Sequence, residues 1–149
     1  MNLTQHFTLA ELTHTDHREF DNTPNEQETQ NLIRLANFLE QVKELLGGRP
    51  IMVNSAFRSK AVNDAVGSKD SSQHRLGCAA DIRVPGMTPN EIVGVLINSD
   101  LPYDQVIREF DAWVHVSIPN HVEIKPRKTA LIIDKKGTRM FALSSGKTL

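Results

Sequence analysis

The sequence predicts a single α+β domain, and three observations support this. Helical periodicity is concentrated in the first half of the chain, and period-two strand patterns gather in the second half. No repeat, low-complexity tract or linker interrupts either half. Finally, 149 residues with 39% apolar and 23% charged side chains match one ordinary globular domain, which excludes a disordered or fibrous chain. The expected arrangement is an antiparallel sheet with helices packed on one side. It would span residues 1–149, with a core over about 7–118 and a C-terminal β-hairpin over about 129–142.

The elements follow in order. Thr8-Leu9-Ala10-Glu11 is a capping box that opens a short helix through about Leu12. After a polar stretch, Thr23 is the expected N-cap and Pro24 the first position of a long helix. Leu32, Leu35, Ala36, Leu39, Val42 and Leu46 form its apolar face, and Gly47-Gly48 ends it. Ile51-Met52-Val53 is a short strand, and Ser59 caps a helix from Lys60 to Val66 that Gly67 stops. Ser68 to Gly77 has no periodicity and is expected as a loop. Ala79–Val84 is a strand with Asp81 and Arg83 on one face. Thr88-Pro89-Asn90-Glu91 is a second capping box, opening a helix that buries Ile92, Val95 and Leu96. Gln105–Phe110 and Trp113–Ile118 form a hairpin around Asp111-Ala112, with Trp113, His115 and Ser117 sharing one face. Thr129–Asp134 and Thr138–Ala142 form another hairpin through Lys135-Lys136-Gly137.

Charge and composition narrow the function classes. A net charge of −1 lacks the basic excess of a nucleic-acid binder or the basic face of a docked membrane protein. The single cysteine, Cys78, precludes an internal disulfide and any cysteine-built zinc finger, and its position suits a small buried filler. No apolar run approaches a membrane span of ~18 residues. The N-terminus shows no basic region followed by an apolar stretch, so synthesis in the cytoplasm without a secretory signal is expected. Nothing in the pattern calls for an obligate partner, so a monomer is expected. His6, His14, His17 and His121 are expected at the surface, and Lys125–Lys128 as a solvated connection.

Three residues could carry chemistry together. Asp81 and His115 each sit within an otherwise apolar strand, and His74 lies seven residues before Asp81 across a glycine-containing turn. Two imidazoles and one carboxylate make a zinc set with a fourth position open for water. The competing reading is three structural side chains with satisfied hydrogen bonds.

Four ordered segments resemble one family. Ser72-Gln73-His74-Arg75-Leu76-Gly77-Cys78-Ala79-Ala80-Asp81 is similar to the Ser-x-His-x-x-Gly-x-Ala-x-Asp signature of the zinc D-Ala-D-Ala peptidases. Ser55-Ala56-Phe57-Arg58-Ser59 resembles their Ser-Gly-Tyr-Arg-Ser segment, and Ala61-Val62-Asn63 follows as in the phage-type branch. Glu109-Phe110-Asp111-Ala112-Trp113-Val114-His115 resembles the Glu…Trp-x-His segment near the C-terminus. The resemblance implies the hedgehog/DD-peptidase fold. It also implies one zinc ion (Zn2+) per chain on His74, Asp81 and His115. Glu109 would be the general base, with Asp111 as the alternative, because Ala112 stands where many members place the acid. Arg58 would hold a substrate carboxylate or oxyanion. Ser72 and Gln73 would hydrogen-bond the substrate backbone or shape their loop, and Trp113 would wall the cleft or anchor the core.

The function implied is a zinc metallopeptidase cutting peptidoglycan stem peptides, as a D,D-carboxypeptidase or endopeptidase. The expected setting is a phage or prophage endolysin, made in the host cytoplasm and released to the wall through a holin. A tail-associated wall hydrolase and a non-catalytic zinc-stabilised binding module of the same fold are the alternatives.

Overall fold

The structure is a computed structural model and describes residues 1–141. Helix α1 (Leu9–Thr13) opens with the expected capping box, in which Thr8 accepts from the Glu11 N–H and Glu11 accepts from the Thr8 N–H. Helix α2 (Glu26–Leu45) starts later than expected. Asn25, not Thr23, is its N-cap, and Glu28 completes a capping box with it. Thr23 is engaged elsewhere: its hydroxyl donates to Asp21 Oδ1 at 2.6 Å, and its N–H donates to the same oxygen. The buried face of α2 carries Leu32, Leu35, Leu39 and Val42 as the periodicity requires, with Phe38 added.

Strand β1 (Met52–Ser55) and helix α3 (Lys60–Ala65, capped by Ser59) follow. The segment expected as an unbroken loop holds one 3-10 turn over Gln73–Leu76, capped by the Ser72 side chain. Strand β2 (Ala79–Arg83) and helix α4 (Pro89–Ile97) precede the hairpin of β3 (Gln105–Glu109) and β4 (Trp113–Ser117). Strands β5 (Thr129–Asp134) and β6 (Gly137–Met140) form the second hairpin, and Ala142, its expected last residue, lies outside the described residues.

The six strands make one sheet in the order β1-β2-β4-β3-β5-β6. It is mixed rather than wholly antiparallel, because β5 runs parallel to β3. The connection after β4 returns the chain to the start of β3, where the Arg127 guanidinium meets the buried Asp104 carboxylate at 2.6 Å. The Thr129 N–H then donates to the Asp104 carbonyl, so β5 sets off alongside β3 in the same direction.

Strand alternation divides the residues of the sheet between two faces. Ala80, Ile82, Val106, Val114 and Val116 join Leu32, Leu35 and Leu39 of α2 and Ile92, Val93 and Leu96 of α4 in one buried cluster. The helical layer therefore covers one face, as expected. Asp81, Ile107, Glu109, Trp113 and His115 have the opposite parity. Their face is bordered by the end of α3 and by the 3-10 turn. Among the described residues, no helix is long and apolar enough to cross a membrane.

Candidate active site

Register brings the polar residues together. In the β2–β4 pairing Asp81 lies opposite His115, and in the β3–β4 pairing Glu109 lies opposite Trp113. The 3-10 turn then carries His74 over Asp81. Asp81 Oδ1 is 3.1 Å from His115 Nδ1 and 3.3 Å from His74 Nε2, and the three side chains offer one ligand atom each within 4.8 Å of one another. A tetrahedral ion with bonds of about 2.0–2.1 Å sets its ligand atoms about 3.3 Å apart, so these two separations fit one metal ion. The two imidazole rings stand edge to face, 5.1 Å apart.

His74 is held for this role from behind. Its Nδ1–H donates to the Ala56 carbonyl at 2.6 Å, which fixes the tautomer and leaves Nε2 as the free lone pair facing Asp81. Helix α2 braces the turn that carries it. Asn31 Nδ2 donates to the Leu76 carbonyl at 2.9 Å, and Gly77 closes the turn at φ +78°. A Cβ on Gly77 would meet the Glu28 carbonyl oxygen and Leu32 Cγ at 3.0 Å, so the close packing of turn on helix requires glycine.

The electrostatics suit ligation. Burial holds the His74 imidazole below its ordinary range, in the neutral form a metal needs. Burial alone would raise the Asp81 carboxyl, but the two imidazoles beside it outweigh burial and hold Asp81 well below the usual carboxylate range. Burial and then the Asp81 charge push Glu109 up, tempered by His115, Trp113 and Arg58. Arg58 points its guanidinium at Asp81 Oδ2 (3.5 Å) and Ser55 Oγ (3.3 Å). Two carboxylates thus face one guanidinium in the cleft, and the net negative charge favours a cation there. Two neutral imidazoles and a carboxylate are a donor set suited to zinc.

The cleft holds about 350 Å³, and Glu109, Arg58, Ser72 and Trp113 line it with the three candidate ligands. Two residues expected at the site are placed elsewhere. The Gln73 amide turns inward, donating to the Ile118 carbonyl, Asn120 Oδ1 and Asp104 Oδ2, so Gln73 ties the 3-10 turn to the end of β4 instead of facing substrate. Asp111 lies in the β3–β4 turn, 74% exposed, paired with Arg108 at 3.3 Å and lining a neighbouring groove. Of the two candidate bases, only Glu109 reaches the cleft. Phe110 and Asp111 both have positive φ (54° and 53°), a conformation that costs a bulky side chain energy. Val66, Gly67 and Ser68 complete the wall without having been singled out in sequence. Fully buried Asn63 holds their loop by donating to the Lys69 carbonyl at 2.9 Å.

Comparison with protein families matches this chain to the family described as Peptidase M15, over residues 5–117. Comparison with curated proteins finds no match. The matched span contains every cleft residue named above and stops before β5 and β6.

Proposed function

The chain belongs to the peptidase M15 family, and from that premise we propose that it is a zinc metallopeptidase hydrolysing peptide bonds in the stem peptides of bacterial peptidoglycan. The observation that carries this reading is the convergence of His74 Nε2, Asp81 Oδ1 and His115 Nδ1 in one cleft with Glu109. A zinc ion bound there would supply Lewis-acid polarisation of the scissile carbonyl and a water acidified to a pKa of about 7.

The chain's own residues would do the rest. Glu109 takes a proton from the attacking water and returns it to the leaving amine; its raised proton affinity brings it nearer the operating pH, where a general base works best. Arg58 supplies a permanent positive charge at the cleft wall for a substrate carboxylate or the developing oxyanion. Ala56 fixes the His74 tautomer through its carbonyl. The phage-type pattern of Ala61-Val62-Asn63 and of Glu109 through His115 supports a phage or prophage endolysin as the setting.

The test is metal content and muropeptide release in one preparation, for the wild type and for Glu109→Gln. The expected result is about one zinc per chain and cleavage that a chelator abolishes and zinc restores. Glu109→Gln should keep its zinc and lose about 10²- to 10⁴-fold in rate. Bound zinc without cleavage of any wall tested would replace the enzyme with a binding module. Full activity of Glu109→Gln would remove Glu109 as the base.

A further inference from the structure

The only tryptophan of the chain, Trp113, sits directly across the β3–β4 ladder from Glu109. Both side chains line the cleft, and Trp113 also lines the neighbouring groove that holds Asp111. The indole therefore stands as the partition between the two. Its Nε1 is buried yet has no hydrogen-bond partner within normal geometry. A buried indole N–H is rarely left unused, and an unsatisfied one beside a functional site calls for an acceptor close by. The acceptor at hand is the carboxylate of Glu109, paired with Trp113 across the ladder and lining the same cleft.

The backbone favours this pairing. Glu109 and Trp113 flank a turn in which Phe110 and Asp111 both hold positive φ, closed by the Ala112 N–H donating to the Glu109 carbonyl at 3.0 Å. A turn kept in a costly conformation fixes the relative placement of the two residues at its base. Hydrogen bonds of this kind are often long in a free site and tighten when substrate is bound.

We propose that Trp113 is the positioning residue for Glu109, its indole N–H holding one carboxylate oxygen so that the other is presented to the attacking water. The role rests on Glu109 being the general base. Trp113 would then matter through its nitrogen, in addition to the apolar wall its ring provides.

Trp113→Phe keeps a ring and removes the donor. The expected result is a fall in kcat of about tenfold or more with KM and zinc content unchanged, since misplacing a catalytic group by an ångström can cost about 100-fold. In a Glu109→Gln background the same change should cost little further, because the two residues act as a unit. A second readout leaves Trp113 in place: the full-length wild type, labelled with 15N, gives a single indole N–H resonance. That resonance should shift upfield in Glu109→Ala, in both metal-free and zinc-loaded protein. An unmoved resonance, or an unchanged kcat in Trp113→Phe, overturns the proposal even where Glu109→Gln is inactive. Full activity in Glu109→Gln overturns it through the base itself, and is thereby distinguishable.

Discussion

Replacing Gly77 by alanine tests how the first histidine is held in place. The backbone at Gly77 has φ +78°, which costs an alanine about 1–2 kcal/mol, offset by roughly 0.5 kcal/mol from the stiffer unfolded chain. The new methyl group would also stand 3.0 Å from the Glu28 carbonyl and from Leu32 Cγ. Both belong to α2, a 20-residue helix that cannot yield locally, so overpacking adds about 1–3 kcal/mol. Gly67 provides the control, since it has φ +76° but nothing within 4 Å of its Cβ position. Gly67→Ala should therefore cost about 1 kcal/mol and Gly77→Ala about 3. At about 2–4 °C per kcal/mol for a domain of this size, Gly77→Ala should melt about 4–8 °C below Gly67→Ala. Because the turn carries His74, its zinc affinity should also fall about tenfold, as when a supporting contact of a ligand is lost. Thermal unfolding of both variants and a competitive zinc titration measure the two effects. Equal melting temperatures for the two alanine variants would refute the bracing of the turn by α2.

Two further outcomes are expected. Gln73→Ala removes an amide whose two N–H donors are shared among three acceptors, one of them the Asp104 carboxylate, and should cost about 2 kcal/mol or about 4–8 °C of melting temperature while turnover at 25 °C stays within about twofold; a large loss of turnover at unchanged stability would place Gln73 in the cleft. The buried His74 has a folded pKa below its unfolded value of about 6.5, so the unfolded chain binds the extra proton in that window. Metal-free protein should accordingly lose stability as pH falls through about 6.5, and His74→Asn should flatten this part of the profile; parallel profiles for the two proteins would contradict the assignment.

Local chemistry was legible in the sequence wherever a residue's role depends on near neighbours. The capping boxes at Thr8 and Thr88 formed as expected, and period-two alternation put Trp113 and His115 on one face. Where two local signals competed, reading was harder: Thr23-Pro24 and the Asn25–Glu28 pair both announce a helix start, and the reciprocal bonds of the second prevail. Of the two roles open to Gln73, shaping the turn is the one the structure shows, because adjacent residues in a 3-10 turn point about 120° apart and the neighbour of a ligand faces away from it. The parallel pairing of β5 with β3 depends on Asp104 meeting Arg127, a contact 23 residues apart in sequence that no local pattern announces. The Ala56 carbonyl that orients His74 is a backbone group, and its role leaves no mark in residue type.

The C-terminal hairpin lies beyond the matched span, yet it changes the status of the strand that carries Glu109. Without β5, β3 would be the border of the sheet, with a row of unpaired amides and carbonyls ready to recruit another chain. With it, Val106 through Glu109 are enclosed on both sides, and even the Phe110 N–H is claimed by the Ile133 carbonyl at 2.9 Å. Among the described residues, the border on this side of the sheet moves outward to β6, where Arg139 and Asp134 clasp the hairpin at 2.7 and 2.8 Å. The addition thus acts as a selvedge, a finished margin that keeps the working strand from fraying or from stitching itself to a second molecule. Since the attachment to β3 runs through main-chain ladder bonds, substitutions on the outer strand can accumulate without disturbing the chemistry two strands away.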